Sequence, residues 1–241
     1  MTDVEVIPLE LATFQFADPK LAGRQGVVIG YAVRHPDGVF LFDTGFGSGN
    51  AELDAMYHPV PRPIRQVLYD AGIDPGDVTA VANCHLHPDH AGQNGALPGV
   101  PIHVQSAEWE LAHTTDHTVL EWIDAPGANA YLLVDGDHDI APSIRILATP
   151  GHTKGHQSIA VSTSTETIVL AGQACYTAGE WERDPDALEG RSEAPEVDAY
   201  DASIERLRDL APARVYFAHD RVIWTPPSGD KAAPAILREP C

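Results

Sequence analysis

The chain is short of lysine, of cysteine and of long apolar runs. Only Lys20, Lys154 and Lys231 are lysines among 15 basic residues, against 35 acidic ones, giving a formal charge of −20. Such a surface repels polyphosphates and anionic headgroups, which argues against nucleic acid and membranes as partners. Three cysteines, Cys84, Cys175 and Cys241, are too few and too scattered for a disulfide framework, as expected in a reducing compartment. The amino terminus, "MTDVEVIPLELATFQF", has no basic region ahead of an apolar stretch and does not read as a signal peptide. No apolar run approaches the ~20 residues of a membrane-spanning helix. These absences predict a soluble, cytoplasmic protein; a monomer or homodimer is expected, though none of them bears on that.

What is present is an alternation of strand and helix patterns. "VEVIPL", "GVVIGYAVR" and "GVFLFDTG" read as strands, with "HPDG" (35–38) joining the last two as a hairpin. "PIRQVLYDAGI" places Ile64, Val67, Leu68 and Ile73 on one helical face, and "VTAVANC" is a short buried-type strand. "PIHVQ" is a further strand and "SAEWELAH" a helix opening on a Ser cap. In the second half "SIRILATPGH", "QSIAVSTS", "TIVLAG" and "ARVYFAHD" are strands, and "DAYDASIERLRDL" a helix. The pattern predicts two face-to-face sheets with helices outside, in one domain spanning residues 1–241. The acid- and proline-rich segment 182–198 reads as a lid or a solvated loop.

The chemistry-bearing residues gather at strand ends. "HLHPDH" supplies His85, His87, Asp89 and His90 directly after "VTAVANC". Residues at i and i+2 of extended chain point the same way, so His85 and His87 can grip one cation. Pro88 then turns the backbone, letting Asp89 and His90 face a neighbouring position. His152 in "ATPGHTKGH" and His219 in "VYFAHD" follow other strands and complete a ligand set for two ions.

With "LFDTG" (41–45), "HLHPDHAG" (85–92), "PGHTKGH" (150–156), "LAGQ" (170–173) and "AHD" (218–220), nearly the whole chain resembles the metallo-β-lactamase-fold hydrolases. The resemblance implies an α+β four-layer αββα sandwich with the metal site at one edge of the two sheets. It gives His85, His87 and His152 to one ion, zinc by preference, and Asp89, His90 and His219 to another. Asp43 takes the place of a carboxylate supporting the ligands, and His156 that of a structural histidine. Asp220 has no assigned role.

Two divalent ions sharing a water would make it nucleophilic at neutral pH and polarise a carbonyl, with Asp89 orienting it or passing a proton to the leaving group. No G-x-S-x-G and no activated thiolate offers a covalent alternative. Within the superfamily, "HLHPDHAGQN", "PGHTKGHQS" and Tyr176 most resemble the N-acyl homoserine lactone lactonases, in which the tyrosine holds the lactone carbonyl or its oxyanion; this implies quorum quenching. A thioesterase of the glyoxalase II type, or another ester hydrolase of the superfamily, is the alternative; the thioesterase would want basic residues, and the carboxyl-terminal part offers them without a clear cluster. A diiron oxygen-reducing member would carry glutamate in place of His87 and a flavin domain.

Gln173 stands where the family has a bridging aspartate. Without that charge two dications repel more strongly, which predicts one tight site and a second, weaker one. It also motivates an alternative: a metal-binding member without hydrolytic activity. Cys175, at i+2 from Gln173, could restore the charge as a thiolate if the strand continued. The segment "GFGSGNAELDAMYHP", with Phe46, Met56 and Tyr57, and the residues from Trp181 onward are candidate pocket walls.

Overall fold

A computed structural model of the protein describes residues 4–17, 21, 23–124, 130–188, 190–191, 194–227 and 235–237. Lys20, Lys231 and Cys241 lie outside them. The first sheet contains β1 (Glu5–Gln15), β2 (Gln25–His35), β3 (Gly38–Phe42), β4 (Val60–Pro61), β5 (Val78–Ala82), β6 (Ile102–Gln105) and β7 (Tyr131–Val134), in the order β4-β1-β2-β3-β5-β6-β7. The second contains β8 (His138–Ala141), β9 (Ile144–Ala148), β10 (Gln157–Ser162), β11 (Thr167–Leu170), β12 (Arg214–Phe217), β13 (Asp220–Trp224) and β14 (Ala235–Ile236), paired in sequence order. The helices are α1 (Ala51–Tyr57), α2 (Ile64–Asp70), α3 (Pro88–Ala91), α4 (Ser106–Thr114), α5 (Leu120–Ile123), α6 (Ala178–Trp181) and α7 (Val197–Arg208).

Hydrophobic patterning explains the layering. β2 is buried along almost its whole length, because one face (Val27, Ile29, Tyr31, Val33) meets the second sheet and the other (Val28, Ala32) meets outer residues. The inter-sheet core joins those residues to Phe40, Phe42, Ile146, Ile159, Val161, Ile168 and Leu170. Tyr31 crosses it, donating its hydroxyl to the Phe217 carbonyl at 2.7 Å. Outside the first sheet α2 contributes Ile64, Val67 and Leu68; outside the second, α7 contributes Tyr200, Ile204 and Leu207. The four-layer αββα sandwich is therefore present, with helices on both outer faces.

Strand direction decides where the site lies. β3, β5 and β6 are parallel, as are β11 and β12, and β9 runs with β11 because both are antiparallel to β10. Asp43, His85, His152, Gln173 and His219 all follow the carboxyl ends of such strands. The sheets are tied at this edge by backbone bonds from Ile29 to Ala218 and from Gln157 to Cys84, each 2.8 Å.

Three local expectations are corrected. Ser106 does not cap α4; Gln105 holds the cap position without a side-chain bond, and the Ser106 hydroxyl reaches the Val134 carbonyl. The glycine-rich stretch after Asp43 carries α1, capped by the Asn50 side chain. Trp181 is packed outside the second sheet with Phe217 and Trp224, away from the site.

Candidate metal centre

The loop from Asn83 to Ala91 is anchored by buried amides. Asn83 donates to the His90 carbonyl and accepts from Asn94, while Thr44 binds the His90 carbonyl through its backbone and hydroxyl. Pro88 opens α3 at the first helical position, where its missing N–H costs nothing, and the single turn carries Asp89 and His90 away from His85 and His87. "HLHPDH" thus divides into two pairs, as its spacing implies.

The first group is His85, His87 and His152. His85 Nε2 lies 2.7 Å from His87 Nδ1, and His152 Nε2 is 3.2 Å from both. Three ring nitrogens this close cannot all be satisfied by protons lying between them. Burial, then the neighbouring histidines, holds His85 and His152 well below the ordinary histidine range; burial, then His117, takes His87 to about 3. All three rings are neutral at pH 7.

The second group is Asp89, His90 and His219. Asp89 Oδ2 is 3.1 Å from His90 Nε2 and 3.6 Å from His219 Nε2, yet both nitrogens are buried with no hydrogen-bond partner among the described residues. His219 donates Nδ1–H to the Val27 carbonyl at 2.8 Å, which leaves its Nε2 lone pair facing inward. Burial opposes charge on both Asp89 and His90, but their mutual attraction outweighs it, holding the carboxyl well below and the imidazole well above their usual ranges.

Asp43 supports both groups from behind. Its backbone is left-handed, φ 68°, a region that aspartate tolerates better than most residues. Oδ1 accepts the Cys84 N–H at 2.8 Å and Oδ2 lies 3.0 Å from His90 Nδ1. The Cys84 thiol touches His85 Nδ1 at 3.0 Å and His90 Nδ1 at 3.3 Å, and burial pushes it above any useful thiolate range.

Gln173 follows β11 after the left-handed Gly172, and its Oε1 is buried with no partner among the described residues. Cys175 does not join it: the strand ends at Leu170, and the thiol turns to the Thr177 carbonyl among Ala174, Trp181 and Phe217. Tyr176 stacks on His219, ring centroids 4.6 Å apart and 27° between planes. Asp220 accepts from Ala178 and Val222 backbone N–H groups, so it ties α6 to the strand end instead of facing solvent.

Two side chains here had no marker in the sequence. Glu108 of α4 is fully buried and accepts from Leu86 N, Thr153 Oγ1 and His117 Nε2. His117 lies over His87, centroids 4.2 Å apart. The available clue was Gly155 in "GHTKGH", where any Cβ would sit 2.2 Å from Glu108 N.

Both groups open on a cavity of about 730 Å³, whose walls include Phe14, Phe46, Met56, Tyr57, His117, Gln173 and Tyr176. Among the described residues no Lys or Arg lines it, whereas Glu52, Asp116 and Glu121 do. The orphaned imidazole nitrogens, the adjacent carboxylate and the neutral rings fit divalent cations that prefer nitrogen and oxygen donors.

An αββα sandwich with such a histidine and aspartate site at the sheet edge defines a class of metal-dependent hydrolases. Residues 24–219 match the metallo-beta-lactamase superfamily, and the chain belongs to it. It is 31% identical to an N-acyl homoserine lactonase of Bacillus sp, over 79% of this chain and 80% of the relative. It is also 31% identical to the N-acyl homoserine lactonase AttM of Azorhizobium caulinodans, over 96% and 98%. An N-acyl homoserine lactone hydrolase solved with N-hexanoyl-L-homoserine at its catalytic metal centre superposes with a TM-score of 0.72 at 26% identity, covering 90% and 92% of the two chains. A probable metal-dependent hydrolase from Staphylococcus aureus has the same fold at 16% identity, TM-score 0.79, covering 99% and 98%.

Proposed function

We propose that this metal-dependent hydrolase opens an uncharged lactone of the N-acyl homoserine lactone type, or a related carboxylic ester, in the cytoplasm. The carrying observation is the convergence of two ligand-type groups on one cavity that also holds Tyr176. His85, His87 and His152 would hold one cation, and Asp89, His90 and His219 the other; zinc suits an imidazole-rich set best. Bound cations would supply Lewis acidity, acidifying water and polarising the carbonyl oxygen.

The chain's own residues do the rest. Asp43 keeps a proton on His90 Nδ1, which leaves Nε2, beside Asp89, as the nitrogen that would bind the cation. Asp89, ionised beside two histidines, would take the proton given up by the attacking water and pass it to the leaving alkoxide. Tyr176, held flat against His219, hydrogen-bonds the lactone carbonyl or its developing oxyanion. Phe14, Phe46 and Met56 form an apolar wall for an acyl chain. The acidic rim disfavours phosphodiesters and anionic thioesters, and the lactonase relatives support the same choice.

One observation favours a second reading, a metal-binding member without hydrolysis: the neutral Gln173 in the wall of the cavity that His87, Asp89 and His152 also line. Titration of acid released from lactones, aryl esters, thioesters and phosphodiesters by metal-analysed protein separates the two. Lactone turnover is expected; inert lactones with another class consumed would sink the substrate assignment, and a wholly inert panel with metal bound would favour the second reading.

A further inference from the structure

Glu108 is a buried carboxylate with no Lys or Arg beside it among the described residues; its Oε1 meets His117 Nε2 at 2.6 Å. It is ionised, because hydrogen bonds from His117, Thr153 and Leu86 outweigh the burial that opposes its charge. Its partners are not scattered. Leu86 lies between His85 and His87, and Thr153 follows His152, so one carboxylate grips both loops that carry the three-histidine group. The His152 turn closes on the start of α4 only because Gly155 has no side chain.

The charge matters as well as the grip. Glu108 Oε1 lies 2.6 Å from His117 Nε2, and the His117 ring lies over His87, centroids 4.2 Å apart, so the carboxylate stands directly behind the three-histidine group. On the reading that those rings hold a metal, we infer that Glu108 is a positioning residue of the three-histidine subsite. It fixes the two ligand loops and supplies a buried negative charge that Gln173 cannot. Sites of this kind lose about 10–100-fold in metal affinity when such an outer partner is removed.

Glu108→Gln separates charge from grip. Both the Leu86 N–H and the His117 Nε2–H bind Oε1, which the amide retains, while Oε2 meets only the Thr153 hydroxyl, which can accept from an amide NH₂ instead. The hydrogen-bond pattern survives and the charge does not.

Zinc is titrated calorimetrically into metal-free wild type and variant, with thermal unfolding of the metal-free proteins alongside. The expected result is a tight zinc event weakened about tenfold or more in Glu108→Gln, a weaker event changed by less than about threefold, and similar metal-free unfolding. Equal tight binding in both proteins overturns the inference while leaving the metal site intact; absence of zinc binding in wild type overturns both. Thr153→Val keeps the charge and removes one link. If Glu108→Gln does not fold, this variant decides: a tight event weakened about threefold supports the inference, and an unchanged one overturns it.

Discussion

His156 accepts the backbone N–H of Gln173 at Nε2, 3.0 Å away, while its Nδ1 is fixed by the Thr149 carbonyl at 3.0 Å. The two histidines of "GHTKGH" therefore divide the work: His152 faces His85 and His87, and His156 sets the place of residue 173. That residue is held through its backbone, with its side-chain oxygen buried and unpartnered among the described residues.

Gln173→Asp should consequently put a carboxylate where the amide now lies. The weaker of two zinc-binding events should tighten by about tenfold or more, since a negative charge offsets repulsion between dications. Calorimetry on metal-free protein measures this, and unchanged binding would place residue 173 outside the site.

Asp43→Asn keeps an acceptor for Cys84 N–H but turns an amide NH₂ towards His90 Nδ1, favouring a proton on the wrong nitrogen. Zinc at the Asp89, His90 and His219 group should weaken by roughly 10–100-fold. Stoichiometry measured by metal analysis after dialysis should fall from two towards one; retention of two ions would remove Asp43 from its supporting role.

Tyr176→Phe preserves the ring stacked on His219 and deletes the hydroxyl. Zinc content should stay the same while kcat/KM for lactones drops by about tenfold or more, the scale of a lost oxyanion donor. Wild-type kinetics in this variant would reduce Tyr176 to a packing residue.

Metal-free protein should lose stability as pH falls from 7 to about 4. Burial, the largest cause in each case, holds His85 and His152 well below 6.5, His87 at about 3, and His156 and His219 at about 4. The unfolded chain takes up protons near pH 6.5 that the native rings refuse, so acid favours unfolding. His103 is likewise held at about 4, chiefly by burial, whereas His90, raised above 6.5, acts in the opposite sense, one ring against six. Urea midpoints across this range give the profile, and a flat or rising one on acidification contradicts the arrangement. Excess zinc should hold the midpoint to lower pH.

Gly155→Ala would drive a methyl to 2.2 Å from Glu108 N, a backbone atom that cannot swing aside. A destabilisation of about 1–3 kcal/mol is expected, read from the urea midpoint of the metal-free protein. Full stability would mean that the turn does not pack on α4 as described.

By itself the sequence determined the αββα layering, because strand and helix periodicities are local and their order leaves few ways to bury both faces. The same holds for the division of "HLHPDH" into His85 with His87 and Asp89 with His90, because Pro88 opens a helical turn that carries the second pair away from the first. Only the tertiary structure decided what surrounds them. Cys175 lies two residues from Gln173, yet β11 ends before either and the chain turns the thiol into the outer core, where no sequence period could place it. Glu108 reads as an ordinary acidic residue in a helix's first turn. It becomes a buried anchor because Leu86, His117 and Thr153, remote from one another in the chain, are brought to its oxygens by packing. Burial and long-range hydrogen bonds are properties of the assembled fold, so local pattern reveals the donors but not the groups that hold and charge them.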